Sequence, residues 1–287
     1  MRVRDLLAEA GGALPGDEAR RDAALLLRHA LGVSEAWLVA HADDSVDPSR
    51  ATAFRALIER RAHGEPVAYL TGTRGFHALA LQVTPDVLIP RPETELLVDC
   101  ALQRIPEDAK CMMADLGTGS GAIALALARA RPRAKVVATD VSGAALEVAR
   151  ANADRLALRN VEFAQGDWCA PLGDARFDVI VSNPPYIAEG DPHLREGDLR
   201  FEPRGALASG SDGLDAIRII VRDARAHLRE GGWLMFEHGF DQGSAARDLL
   251  AAHGYAGVFT ESDLESRERV SGGSRQASEG QPVPDGR

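Results

Sequence analysis

The sequence predicts an α/β protein: a doubly wound, mostly parallel sheet, preceded by a small N-terminal helical domain and a short β-hairpin linker. Three observations carry this. Before about Gly72 the apolar residues recur at helical spacing. From Pro92 onward, short strand-like apolar runs alternate with amphipathic helical ones, the pattern of parallel strands joined by crossover helices. Between the two lie short apolar runs split by Gly72, Gly75 and His77, as in a hairpin. A chain of 287 residues is also longer than most single domains. The expected division is a helical docking domain over 1–73, a hairpin linker over 74–91, the sheet domain over 92–275 and a polar, Gly/Pro/Ser-rich disordered tail over 276–287.

The elements follow in order. Amphipathic runs at Leu6–Leu7, Ala23–Leu31, Trp37–Val39 and Phe54–Ile58 predict four short helices. Gly11, Gly12, Pro15 and Gly16 separate the first two, and Asp47-Pro48-Ser49 is a start signal for the fourth. Pro66–Leu70 and Leu79–Val83 are expected as paired short strands. The sheet domain opens with a helix over Glu93–Leu102. Strands are expected at Cys111–Asp115, Lys135–Asp140, Val161–Gln165, Phe177–Ser182 and Trp233–Phe236, with a last strand at Ala256–Thr260. Helices are expected at Gly121–Ala130, Ala144–Arg155, Leu214–Leu228 and Ala245–Ala252.

The net charge of −10 argues against a nucleic-acid partner, because phosphate contacts normally need a basic surface. Three widely spaced cysteines, Cys100, Cys111 and Cys169, form no pair or Cys/His cluster of metal-binding spacing. They imply reduced thiols, no bound metal and a cytoplasmic location. No signal peptide or membrane-spanning run is evident, and a monomer is expected.

Asp115-Leu116-Gly117-Thr118-Gly119-Ser120-Gly121 joins a strand to a helix, and its three glycines permit a tight turn and close approach of backbone to a ligand. Asp140 ends the next strand, roughly 20 residues on, where a carboxylate meets ribose hydroxyls in a nucleotide-binding βαβ unit. Asp167 and Trp168 follow the third strand. Taken alone they suit a helix cap and a core aromatic; following the glycine loop and Asp140 in order, they point instead to an exocyclic amine and a purine face. The G-x-G-x-G spacing differs from the G-x-G-x-x-G of NAD sites. D-x-G-x-G-x-G resembles the cofactor loop of class I S-adenosylmethionine methyltransferases, whose Rossmann-like domain would cover about Pro92 to Arg275.

The fourth strand of this domain ends in Asn183-Pro184-Pro185-Tyr186. Two prolines stiffen the turn and remove backbone donors, leaving the Pro184 carbonyl and the Asn183 side-chain carbonyl to accept both hydrogens of one NH2 group. Tyr186 offers a flat face to a planar substrate. Neutral Asn183 is no strong base, but an amide nitrogen loses its proton readily once it gains a methyl. Positioning and electrostatics would carry such a reaction. The tetrapeptide resembles the signature of methyltransferases acting on nitrogen conjugated to a planar system.

Three further stretches, Glu65–Gly72, Val87–Glu95 and Phe201–Leu207, resemble the release-factor glutamine methyltransferases. That family methylates the glutamine N5 of the Gly-Gly-Gln motif in peptide chain release factors, giving S-adenosylhomocysteine. The resemblance implies S-adenosyl-L-methionine as methyl donor and release factors as partners. It implies cofactor contacts from Gly117, Thr118, Gly119, Ser120, Gly121, Asp140, Asp167, Trp168 and Asn183. Asn183, Pro184, Pro185 and Tyr186 would hold the glutamine. Arg91, Glu93 and Glu95 suit either substrate orientation or a helix start, and Phe76 either a pocket wall or a hairpin anchor. Glu237-His238, ending a strand, reads as a satisfied structural pair. A DNA adenine-N6 methyltransferase would use the same tetrapeptide, but needs a basic DNA-tracking surface that this sequence does not display.

Overall fold

The computed structural model describes residues 1–276, so all but the first residue of the expected tail lie outside the described residues. The N-terminal helices are α1 (Val3–Ala13), α2 (Ala19–Leu31), α3 (Glu35–Ala40), α4 (Pro48–Ala62) and α5 (Val67–Thr71). Asp47 caps α4 by accepting from the amides of Ser49 and Arg50, with Pro48 in the first turn, where its missing N–H costs nothing. Gly11 and Gly12 stay inside α1, and the break falls over Leu14–Glu18 instead. Val3, Leu6, Leu26, Leu27, Leu38, Phe54 and Ile58 form this domain's own core. Inside it, buried Asp22 accepts from Arg61 Nε at 2.8 Å.

The hairpin differs from expectation at one arm. Val67–Thr71 is helical, initiated at Pro66 and stopped by Gly72 at φ +67°. The strands are β1 (Thr73–Phe76) and β2 (Leu79–Gln82), joined through His77 and Ala78, both at positive φ. A two-residue connection of that hand matches the twist of the paired strands. Phe76 is buried in the sheet domain's core, which anchors the hairpin there.

The sheet domain begins with a 3-10 turn, Pro92–Thr94, and α6 (Glu95–Leu102). It continues through β3 (Met112–Leu116), α7 (Ala122–Ala130), β4 (Lys135–Asp140), α8 (Gly143–Arg155), β5 (Val161–Gln165) and β6 (Phe177–Ser182). Then come α9 (Asp215–His227), β7 (Leu228–Glu237), α10 (Gly243–Ala252), β8 (Tyr255–Ser262) and β9 (Glu268–Arg275). Three 3-10 turns lie between Pro192 and Ala206. The strand order is β5-β4-β3-β6-β7-β9-β8, with the two pairings of β9 antiparallel and the rest parallel.

Side chains alternate across the sheet. Met113, Val179 and Val181 pack with α6 and α7 on one face; Ala114, Ile180 and Leu234 pack with α9 and α10 on the other. The strand at Tyr255–Ser262 is not the last in the chain as expected: β9 follows it and inserts between β7 and β8, which leaves β8 at the sheet edge. Its Val270-Ser271-Gly272-Gly273 core lacks the large apolar residues of an inner strand. Glycine is required there: a Cβ on Gly272 would stand 2.6 Å from Met235 Cγ and 2.7 Å from the Leu234 carbonyl. Among the described residues, no helix is long and apolar enough to cross a membrane.

Candidate active site

The strand register assembles the site. Leu116 pairs with Thr139 and with Ser182, and Ser182 pairs with Phe236. The residues that follow each of these, Gly117, Asp140, Asn183 and Glu237, therefore emerge side by side at the carboxyl edge of the sheet. The chain runs outward from β3 to β4 and β5, then returns to place β6 on the other flank of β3. The crevice between β3 and β6 is the switch point at which open α/β sheets bind ligands.

The loop after β3 uses its glycines as expected. Gly117, Gly119 and Gly121 have φ of +72°, +54° and +85°, a region that residues with a Cβ avoid. The space where a Gly119 side chain would project is empty for 4 Å, leaving bare backbone for a ligand to approach. At Gly117 a Cβ would come 3.1 Å from the Trp168 ring, so that glycine also lets the indole reach the loop. Asp140 organises the other wall. Its Oδ2 accepts from the Gly119 amide at 2.8 Å and its Oδ1 from the Ser142 amide at 2.9 Å. Each carboxylate oxygen keeps a second lone pair for ligand hydroxyls.

One cavity collects Gly117, Gly119, Asp140, Asp167, Trp168, Asn183 and Pro185, all expected at the site. Thr118, Ser120, Gly121, Pro184 and Tyr186 are not in its wall. Thr118 and Ser120 are buried; the Thr118 hydroxyl donates to Asp115 Oδ2 at 2.6 Å, and the Ser120 carbonyl accepts from Asn152. They shape the loop from beneath. The cavity also takes in Val87, Leu88, Val141, Pro203 and Ala206, which the sequence did not single out one by one. Buried Glu202 accepts from the Ile89 amide at 3.0 Å and from Arg91, which clips the Val87–Arg91 segment to the Phe201–Leu207 segment across the cavity. Arg91 is thus tied to Glu202. Glu95 accepts from the His77 amide and holds the hairpin turn.

The tetrapeptide is braced from below. Asn183 Nδ2 donates to Thr94 Oγ1 at 3.0 Å, and Thr94 Oγ1 donates to Glu237 Oε2 at 2.6 Å. The Tyr186 hydroxyl donates to Glu237 Oε1 at 3.0 Å, and the Tyr186 carbonyl accepts from Gln242. Burial pushes the Tyr186 phenol far above its ordinary range, and the Glu237 carboxylate beside it adds to the shift. It remains a protonated donor. Burial also raises the Glu237 carboxyl, opposed by the hydrogen bonds from Thr94 and Tyr186. Glu237 and His238 are both satisfied, though not by each other: His238 bonds to Ser271 and to the Gly239 carbonyl. Among the described residues, neither Asn183 Oδ1 nor the Pro184 carbonyl accepts a hydrogen bond. Asn183 lines the crevice, and buried Pro184 follows it on a stiff turn just behind the wall, so two adjacent acceptors are left without a partner there. No group of three or more His, Cys, Asp or Glu is placed to hold a metal among the described residues.

Asp115, fully buried under the glycine loop, has its carboxyl pushed by burial from an ordinary 3.8 up to about 7, against the bonds from Thr118 and Ala124; its Oδ1 has no partner. A raised carboxyl pKa makes the folded state lose stability as pH climbs from the unfolded value to the folded one, and the full loss applies above about pH 7. Asp115→Asn cannot ionise, so its stability should fall less than that of the parent over this window. Urea unfolding at about pH 4.5, 6 and 8 measures the two slopes. Parallel slopes would show that the parent carboxyl titrates normally.

Residues 2–72 match the PrmC N-terminal domain family and residues 93–196 the methyltransferase small domain family. The chain is 56% identical over 254 residues to a release factor glutamine methyltransferase of Xylella fastidiosa (strain 9a5c), covering 88% of this chain and 92% of that protein. It is 52% identical over 272 residues to the enzyme of the same name from Bordetella pertussis, covering 94% and 98%. Among solved structures, a methyltransferase from Pyrococcus furiosus superposes with a TM-score of 0.54 at 19% identity, covering 76% of this chain and 98% of that one, a likeness of fold.

Proposed function

The chain belongs to the release factor glutamine methyltransferase family and is a protein-(glutamine-N5) methyltransferase; from that premise we propose which of its residues perform the transfer, and how. The single observation that carries this is Asn183 in the wall of the switch-point crevice beside the glycine loop, with its Oδ1 and the carbonyl of the adjacent Pro184 both without a donor.

S-adenosylmethionine supplies an electrophilic methyl group on a sulfonium. Asp140 accepts from its ribose hydroxyls, the bare Gly117 and Gly119 backbone admits its amino-acid end, and Trp168 with Val141 flanks its base. The glutamine enters the crevice as an amide whose nitrogen lone pair is delocalised into its carbonyl. Asn183 Oδ1 and the Pro184 carbonyl accept its two N–H bonds. Held this way, the nitrogen presents its lone-pair face along one direction, and the entropy of alignment is met by binding. As the N–C bond forms, the sulfonium S–C bond breaks and its electron pair stays on the sulfur of S-adenosylhomocysteine; positive charge develops on nitrogen, and the two carbonyl dipoles point at it. No strong base is required, because the quaternised amide is acidic enough to release its proton to solvent. Tyr186, tied to Glu237, stiffens the turn.

The N-terminal helices serve to dock the release factor. A broad groove between α2, α4 and the hairpin supports this, with Arg21, Arg28, His29, Arg74 and Arg91 along it. Labelled S-adenosylmethionine incubated with purified release factor, with a factor whose motif glutamine is replaced, and with duplex DNA tests the assignment. Label confined to the intact factor is expected. Label on DNA would transfer the same crevice to an adenine substrate.

A further inference from the structure

We propose that Thr94 and Glu237 are positioning residues that fix which end of the Asn183 amide faces the substrate, and that they thereby select a substrate NH2 group over a carboxylate. This rests on the glutamine assignment above and deepens it.

The direction of each hydrogen bond follows from counting protons. Glu237 is 1% exposed and Thr94 is 4% exposed, so neither has water to turn to. Both carboxylate oxygens of Glu237 accept, one from Tyr186 and one from Thr94. A threonine hydroxyl has one proton. Once it is given to Glu237 at 2.6 Å, Thr94 Oγ1 can only accept from the third member, Asn183, at 3.0 Å. The atom of Asn183 facing Thr94 is therefore the NH2, and the carbonyl Oδ1 points the other way, toward the crevice. With Glu237 ionised the chain of bonds starts from a charge, and each link is then stronger than a neutral pair.

The consequence is chemical selectivity. With Oδ1 outward, the turn presents only acceptors, Asn183 Oδ1 and the Pro184 carbonyl, and an NH2 satisfies both. A glutamate carboxylate at the same point would bring its own lone pairs against them and find no donor. With the amide reversed, Nδ2 would face the substrate nitrogen donor to donor. Three segments distant in sequence converge for this: Thr94 from the Pro92–Thr94 turn, Asn183 from the end of β6 and Glu237 from the end of β7.

Thr94→Val keeps the shape and removes the hydroxyl; Thr94→Ser keeps the hydroxyl. With release factor as substrate, Thr94→Val should lower kcat about ten- to a hundredfold, the size expected for one hydrogen bond in a network ending on a charge. Its affinity for S-adenosylhomocysteine should stay within about twofold of the parent, and Thr94→Ser should recover most of kcat. A factor with glutamate in place of the motif glutamine should compete more effectively against the intact factor in Thr94→Val than in the parent. Should Thr94→Val fold poorly, Glu237→Gln provides the second reading, because a side-chain NH2 there can donate and scrambles the same chain; it too should lower kcat with cofactor affinity kept. Parent-like kcat in Thr94→Val, or no recovery in Thr94→Ser, would overturn the positioning role. A parent enzyme inactive on release factor would overturn the substrate assignment, and this inference with it.

Discussion

Asn183→Ala loses methyl transfer by on the order of a hundredfold or more, while cofactor binding survives in weakened form. The size follows from what the side chain does. In the proposed reaction it supplies one of two acceptors for the reacting nitrogen, and it lies on a turn whose two prolines restrict the backbone from rearranging to replace it. Truncation leaves the substrate amide with one anchor, free to rotate about that bond, so alignment is lost along with the stabilising dipole. The fold should hold, because Thr94 keeps its own bond to Glu237 when Asn183 Nδ2 is removed. Single-turnover transfer, with calorimetric titration of S-adenosylhomocysteine on the same sample, separates the two effects. Turnover equal to the parent would remove Asn183 from the reaction.

Asp140→Ala should have the second largest effect, this time on cofactor affinity. Charged hydrogen bonds to ribose hydroxyls are worth about 1.5–3 kcal/mol, roughly ten- to more than a hundredfold in Kd. Part of that loss would come from the loop itself, since Asp140 also accepts from the Gly119 and Ser142 amides. Asp140→Asn separates the contributions: it keeps one carbonyl acceptor for the loop but no charge. An intermediate Kd for Asp140→Asn is expected, with Asp140→Ala weakest. Unaltered affinity in both would place the ribose elsewhere.

The sheet domain was legible where local pattern and packing agree. Lys135–Asp140 and Val161–Gln165 are apolar or alternating runs ended by polar residues, and both form strands at those bounds. The glycine loop and Asn183-Pro184-Pro185-Tyr186 were legible because their backbone demands restrict which residues can serve. Three features were not. Strand β9 is hidden because its Gly272 and Gly273 lower strand propensity, and only the nearness of Met235 and Phe259 to the first and of Tyr255 to the second explains them. The helix Val67–Thr71 carries β-branched and aromatic residues that suit a strand, yet Pro66 starts it and Gly72 stops it within one turn and a half. Thr94 belongs to a short 3-10 turn with no periodicity, so its bonds to Asn183 and Glu237, 89 and 143 residues away, exist only in three dimensions. Glu237 did leave a trace, as an acid closing the apolar run Trp233–Phe236 at the same sheet edge as Asp140 and Asn183. An acid at that edge is a candidate for a site once the register is known.

The measurement closest to the central claim is peptide mass mapping of release factor after reaction with the enzyme and S-adenosylmethionine. One added methyl group on the glutamine of the Gly-Gly-Gln peptide, absent when Asn183→Ala replaces the parent enzyme, is the predicted result. A methyl group on any other residue, or the same modification with Asn183→Ala, would contradict it.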